Sequence, residues 1–140
     1  MDLQYNVLRF HYGGILMIKG IGTDIIEINR LSELISNIKF MTKYYTEEEI
    51  RYIYERSNNA ESAAAMFAAK ESMAKALGTG FVGFGPHDVE IKHDDNGKPS
   101  IVLHEKAKLI AERHGITNIQ LSMSHCRQYA TAYVTAEGED

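Results

Sequence analysis

Cysteine is nearly absent. Cys126 stands alone, so no intrachain disulfide forms, and no second Cys or His lies at zinc-finger spacing from it. A reducing cytoplasm is the compartment this implies. Excess positive charge is missing too. With 15 Lys+Arg against 19 Asp+Glu the formal net charge is -4, so no global basic field draws in nucleic acid, and an acidic partner must be read by a local patch. No uninterrupted apolar run approaches the roughly 18 residues of a membrane span. The chain is not disordered in composition, with 44% hydrophobic and 24% charged residues. No internal repeat, low-complexity run or linker divides it, and 140 residues suit one domain.

The first sixteen residues, MDLQYNVLRFHYGGIL, lack a basic start, a continuous apolar core and a small-residue cleavage site, so they do not read as a signal peptide. Met17 opens a self-contained strand-like segment and reads as a true or alternative translation start. Residues 1–16 are then a dispensable N-terminal extension and residues 17–140 the working domain; a short added strand is the alternative.

The remaining pattern is α+β, a long helix with a mainly antiparallel sheet. Ile18 to Asp24 alternates small and apolar residues and runs into the β-branched stretch Ile25-Ile26-Glu27-Ile28, a strand leading to a turn. A first helix is expected over about 29–39. Thr46 with Glu49 forms a capping-box signature opening a short helix through about Tyr54. Asn58 with Glu61 is a second capping candidate, ahead of a strongly helical stretch from about Ala60 to Leu77. Gly78, Gly80, Gly83 and Gly85 then make a loop where backbone can approach a ligand, and Pro86 helps to end it. Val89 to Lys92 and Ser100 to Leu103 flank Asn96-Gly97 as a hairpin, a short helix is expected over 105–114, and strands over 119–123 and 129–135.

Glu71 and Lys75 lie four apart and so share one helix face. Spacing alone favours an exposed salt bridge. Context shifts that balance, because Lys75 precedes a Gly-Thr-Gly loop where an ammonium and open backbone could together face a phosphate. Glu71 is a hard oxygen ligand suited to Mg²⁺, which takes one or two carboxylates with phosphate and water. Asp24, closing a strand after two glycines, is either a turn aspartate or the second carboxylate of such a site. His125 could bind phosphate, move a proton or be structural.

Gly20-Ile21-Gly22-Thr23-Asp24-Ile25-Ile26-Glu27-Ile28, then Phe67-Ala68-Ala69-Lys70-Glu71 with Lys75 and Gly78-Thr79-Gly80, then Asn96-Gly97-Lys98-Pro99 and Ser122-Met123-Ser124-His125, resemble in order the bacterial holo-acyl-carrier-protein synthases. The resemblance spans about Met17 to Val134. It implies an α+β fold of the 4'-phosphopantetheinyl transferase type and a homotrimer with sites at subunit contacts. The implied activity is transfer of phosphopantetheine from coenzyme A to a serine of acyl carrier protein, in support of fatty acid biosynthesis, without nucleic acid or membrane. It further implies that Asp24 and Glu71 bind magnesium and that Lys75 meets the coenzyme A phosphates. Lys70, Gly78, Thr79, Gly80 and Pro86 complete the expected coenzyme contacts, and His125 joins the catalytic set. Arg30 matches the family's basic residue facing the acidic carrier protein, with Lys39 and Lys43 extending that patch. The base for the serine proton stays open among His125, a carboxylate such as Asp24, and metal-bound water.

Two positions depart from the family pattern. Cys126 stands where Ser or Thr is frequent and is expected to be a small buried side chain. Met66 stands where Arg is frequent, so that contact is either lost or supplied by another cation such as Lys70 or Arg56.

Overall fold

The structure, a computed structural model, describes residues 16–139. Its elements run β1 (Leu16–Glu27), α1 (Ile28–Leu34), α2 (Ile38–Tyr44), α3 (Glu47–Glu55), α4 (Asn59–Ala76), a 3-10 turn (Pro86–Asp88), β2 (Val89–His93), β3 (Pro99–Leu103), α5 (Glu105–Arg113), β4 (Ile116–His125) and β5 (Tyr129–Glu139). The proposed extension 1–16 lies outside the described residues apart from Leu16, which begins β1 opposite Glu139.

Two antiparallel sheets result, one in the order β1-β5-β4 and one formed by the β2–β3 hairpin. Successive side chains of a strand alternate between faces. Ala130, Ala132, Val134 and Ala136 of β5 are buried toward α4, together with Ile26 of β1. Helix α4 is buried almost all round, by Ala63, Ala64, Ala68, Ala69, Met73 and Ala74, as befits a central helix. Small residues on both sides let helix and sheet pack closely. Ser72 fixes the contact, its hydroxyl donating to Ala68 O at 2.7 Å and lying 3.1 Å from Ala132 O of β5.

The closest approach is at β1. A Cβ on Gly20 would stand 2.0 Å from Ala76 O, and one on Gly22 1.8 Å from Ser72 O. Ser72 and Ala76 are one helical turn apart, so alternate residues of the strand track a single ridge of the helix. No residue larger than glycine fits this register.

Local signals placed several elements well. Glu49 N donates to Thr46 Oγ1 at 3.2 Å and Thr46 N to Glu49 Oε1 at 2.8 Å, completing the capping box of α3. The hairpin turns at Gly97, φ 81°, with Asp94 Oδ1 accepting from Asn96 N and Lys98 N.

Others need correction. The single helix expected over 29–39 is two helices, because the Asn37 side chain accepts from Phe40 N at 3.2 Å and starts α2 afresh. Asn58 stands at the N-cap, but its side chain accepts from no helix N–H; its amide donates instead to the Glu61 carboxylate at 3.0 Å. The last two strands run longer than expected, since β5 pairs along nearly its whole length with β1 on one side and β4 on the other.

Candidate active site

Two residues past Gly22, on the same face of β1, comes Asp24. The tight contact of β1 with α4 brings it to the helix positions that carry Glu71 and Lys75. Lys75 Nζ donates to Thr23 O at 2.8 Å and pairs with Asp24 Oδ1 at 3.3 Å. The lysine side chain stays 54% exposed and the aspartate 19%, so the pair sits at a surface with its ammonium free to turn outward. Glu71 is half-buried. Burial raises its carboxyl above the ordinary value, the Asp24 charge raises it further, and Lys75 partly opposes both.

Two carboxylates close enough to repel, with one lysine paired to Asp24 and acting on Glu71, form a site short of positive charge. Among the described residues no group of three or more His, Cys, Asp or Glu side chains converges to hold a metal. Two neighbouring carboxylates are a hard-oxygen donor pair of the kind a hard cation such as magnesium takes together with phosphate oxygens and water.

The glycine loop turns directly off the end of α4. Gly78 N donates to Lys75 O at 2.9 Å and Gly80 N to Ala74 O at 3.2 Å, with φ of 82° and 62° at the two glycines. Positive φ is why glycine stands there. Exposed Thr79 stands between them in the turn that follows Lys75.

Lys70 does not belong to this surface, contrary to the expectation that it meets coenzyme A. It is 1% exposed, and its ammonium spends its three protons on Glu49 Oε1 at 2.8 Å, Pro86 O at 2.9 Å and Val89 O at 2.6 Å. Burial lowers its pKa, with the Glu49 charge and hydrogen bond acting against that shift. Pro86 likewise meets Lys70 through its carbonyl. Met66 is buried in the core, so position 66 offers no polar group to the surface of this chain.

His125, the last residue of β4, is not beside Asp24 and Glu71. Its Nε2 lies 3.2 Å from Glu61 Oε2. Glu61 is ten residues before Glu71 on the same helix, about 15 Å along its axis. Histidine and glutamate line a second cleft with Arg56, Asn58, Ser62 and Pro99, where the Arg56 guanidinium sits 5.0 Å from the Tyr52 ring centre. Cys126 is exposed, not buried, because the chain turns there between β4 and β5. Backbone hydrogen bonds at Gln128 and Tyr129 lower its thiol pKa.

Arg30 is exposed on α1, six residues past Asp24, while Lys39 and Lys43 are exposed one turn apart on α2. These three cations thus lie on two successive helices. Sequence reasoning missed two features here. One is Glu49, which serves both as helix cap and as partner of Lys70. The other is the outer face of the sheet, where Ile21, Ile25 (66% exposed), Tyr129 and Tyr133 (47% exposed) stand uncovered. Strand alternation would have revealed it, since Ile21 and Ile25 occupy the phase opposite Gly20 and Gly22.

Residues 20–134 match the family model of the 4'-phosphopantetheinyl transferase superfamily. A holo-(acyl-carrier-protein) synthase of Clostridium acetobutylicum is 49% identical over 122 residues, covering 86% of this chain and 98% of the relative. The crystal structure of the Neisseria meningitidis holo-(acyl-carrier-protein) synthase superposes with a TM-score of 0.79 at 35% identity, over 86% of this chain and 98% of that one. A holo-(acyl-carrier-protein) synthase from Bacillus anthracis, solved in complex with coenzyme A (3',5'-ADP), gives 0.73 at 36% identity, over 87% and 98%.

Proposed function

The chain belongs to the 4'-phosphopantetheinyl transferase superfamily, and from that premise we propose that Asp24, Glu71 and Lys75 form the centre of its reaction. The enzyme transfers the 4'-phosphopantetheine group of coenzyme A to a serine of apo-acyl carrier protein, in support of fatty acid biosynthesis. The serine oxygen bonds to the β-phosphorus, the diphosphate P–O bond breaks, and adenosine 3',5'-bisphosphate leaves. The observation that carries the site assignment is the meeting of two carboxylates and an exposed lysine where β1 presses on α4.

Asp24 and Glu71 would hold magnesium, which supplies neutralisation of the diphosphate charge. Lys75 acts without moving its backbone. Its ammonium leaves Thr23 O and Asp24 for a phosphate oxygen and stabilises the charge that builds on the departing group. Gly78, Thr79 and Gly80 approach the same phosphates where the missing glycine side chains leave room beside Lys75, and Pro86 closes the loop. Of the side chains considered for taking the serine proton, Asp24 stands at the site. His125 of the same chain does not.

A homotrimer with sites at subunit contacts accounts for two further features. The outer sheet face bearing Ile21, Ile25, Tyr129 and Tyr133 is an apolar patch of the kind that marks an interface. The cleft with the Arg56 guanidinium and the His125 imidazole carries no part of the Asp24–Glu71 pair, as expected if one subunit completes its neighbour's site. Arg56 would then replace the cation absent at Met66. Arg30, with Lys39 and Lys43, would steer the acidic carrier protein to α1 and α2. Residues 17–140 constitute the transferase domain, in line with a match that begins at residue 20. The lone cysteine is in keeping with a cytoplasmic enzyme.

The test is mass spectrometry of an apo carrier protein incubated with this protein, coenzyme A and Mg²⁺. A gain of one phosphopantetheine mass on the carrier serine is the expected result; an unmodified carrier would contradict the assignment.

A further inference from the structure

The glycine loop is fastened to α4 at both ends. Its first turn hangs on the carbonyls of Ala74 and Lys75. Its far end is gripped from inside the protein, where buried Lys70 donates to the carbonyls of Pro86 and Val89. Glu49 completes the grip, receiving the third lysine proton on Oε1 and Ile91 N on Oε2 at 3.0 Å. The Tyr45 ring covers the ammonium at 5.7 Å. One charged pair thus joins α3, α4, β2 and the end of the loop.

A buried lysine is a costly way to fill a core. Desolvating both charges offsets most of their attraction, and an apolar pair of similar volume is often no less stable. What an apolar pair would not do is bond two specific carbonyls at the end of a loop rich in glycine. Lys70 also occupies the helix position immediately before Glu71, so the fastening point and the site share one rigid segment of α4.

We propose that Lys70, held by Glu49, is a positioning residue that fixes the loop 78–86 against the phosphates of coenzyme A. This rests on reading Gly78, Thr79 and Gly80 as coenzyme contacts. Lys70 touches no substrate; it acts through the Pro86 and Val89 carbonyls.

Three variants test the proposal. Lys70→Met strands the Glu49 charge and loses stability; Lys70→Met/Glu49→Gln removes both charges and recovers much of it. Glu49→Gln alone keeps the ammonium on its two carbonyls and gives the mildest effect. Amide hydrogen exchange over residues 78–88 and steady-state kinetics are measured on each folded variant, well below its thermal midpoint. In the double variant, exchange in this segment accelerates while β1 and β5 keep parental protection. The KM for coenzyme A rises about tenfold with kcat within about threefold of the parent, the signature of lost binding that is equal in ground and transition states. Parental exchange in the loop would overturn the fastening. Fast exchange with a parental KM would overturn the positioning role and place the fault in the coenzyme contacts of the loop, provided Asp24 and Glu71 variants remain inactive. Accelerated exchange everywhere, β1 and β5 included, with kcat falling in step with stability, would make Lys70 a purely structural residue and equally overturn the proposal.

Discussion

Replacing Gly22 with alanine tests how the site is assembled without touching a charged group. The added Cβ would lie 1.8 Å from Ser72 O, 2.7 Å from Ser72 C and 3.0 Å from Ala76 N. Ordinary contact begins near 3.4 Å, so strand and helix must separate by about 1.6 Å at this point. All three obstructing atoms are backbone in a buried helix, and no side-chain rotation relieves them. Overpacking of this kind costs about 1–3 kcal/mol, which leaves the protein folded with a lower thermal midpoint. The catalytic cost is larger. Asp24 rides on β1 and Glu71 on α4, so the gap opens between the two carboxylates, and a misplacement of about 1 Å can cost on the order of a hundredfold in rate. The assay is carrier-protein phosphopantetheinylation at a temperature where circular dichroism shows the variant folded. Gly85→Ala, where a Cβ meets nothing within 4 Å, serves as the control for stability. Parental turnover by folded Gly22→Ala would refute the idea that this close approach sets the site.

Three other outcomes are expected. Arg30→Glu lowers kcat/KM for carrier protein roughly tenfold at low salt, spares coenzyme A binding and converges on the parent as salt rises; unchanged kinetics at low salt would remove α1 from the docking surface. Burial pushes the Glu90 carboxyl up, but hydrogen bonds from His104 and Thr46 and the charges of Lys92 and His104 outweigh it, holding the group below the ordinary 4.5. A depressed carboxyl contributes stability that is complete above that value and is lost as pH falls through the lower folded one. The thermal midpoint of the parent should therefore drop below pH 4.5 more steeply than that of His104→Phe, and identical slopes would dismiss the pair. A protein starting at Met17 should match the full chain in thermal midpoint, oligomer mass and transfer rate, and a clear loss would make residues 1–16 a working part of the enzyme.

Legibility in the sequence followed the range of the interactions. The Thr46–Glu49 box and the Asn-Gly hairpin were readable because their partners lie within a few residues. The break at Asn37 is equally local, yet an asparagine in a polar stretch is as much at home on a helix surface as at a cap. Lys70 and Lys75 show where local reasoning stops. They lie five apart on one helix, and only the packing of Glu49 and β2 buries the first while the second stays exposed. Gly20 and Gly22 could be read as small residues of a strand, but the carbonyls of Ser72 and Ala76 that require them are some fifty residues away. For the same reason Asp24 and Glu71 were chemically plausible partners whose meeting no spacing could show. His125 fell with them in the family motif, yet pairs with Glu61 at the other end of α4.

The central claim is that Asp24 and Glu71 together hold the metal on which transfer depends. Initial rates of carrier-protein modification, followed by mass spectrometry across a Mg²⁺ titration, test it most directly when the parent is set beside folded Asp24→Ala and Glu71→Ala. Each variant removes one hard ligand from a hydrated ion. The expected result is a parent that depends on Mg²⁺ and variants that lose at least about a hundredfold in rate at any Mg²⁺ concentration, comparable to removing one preorganised stabilising group. A folded Glu71→Ala enzyme that binds Mg²⁺ and coenzyme A and turns over like the parent would contradict the claim.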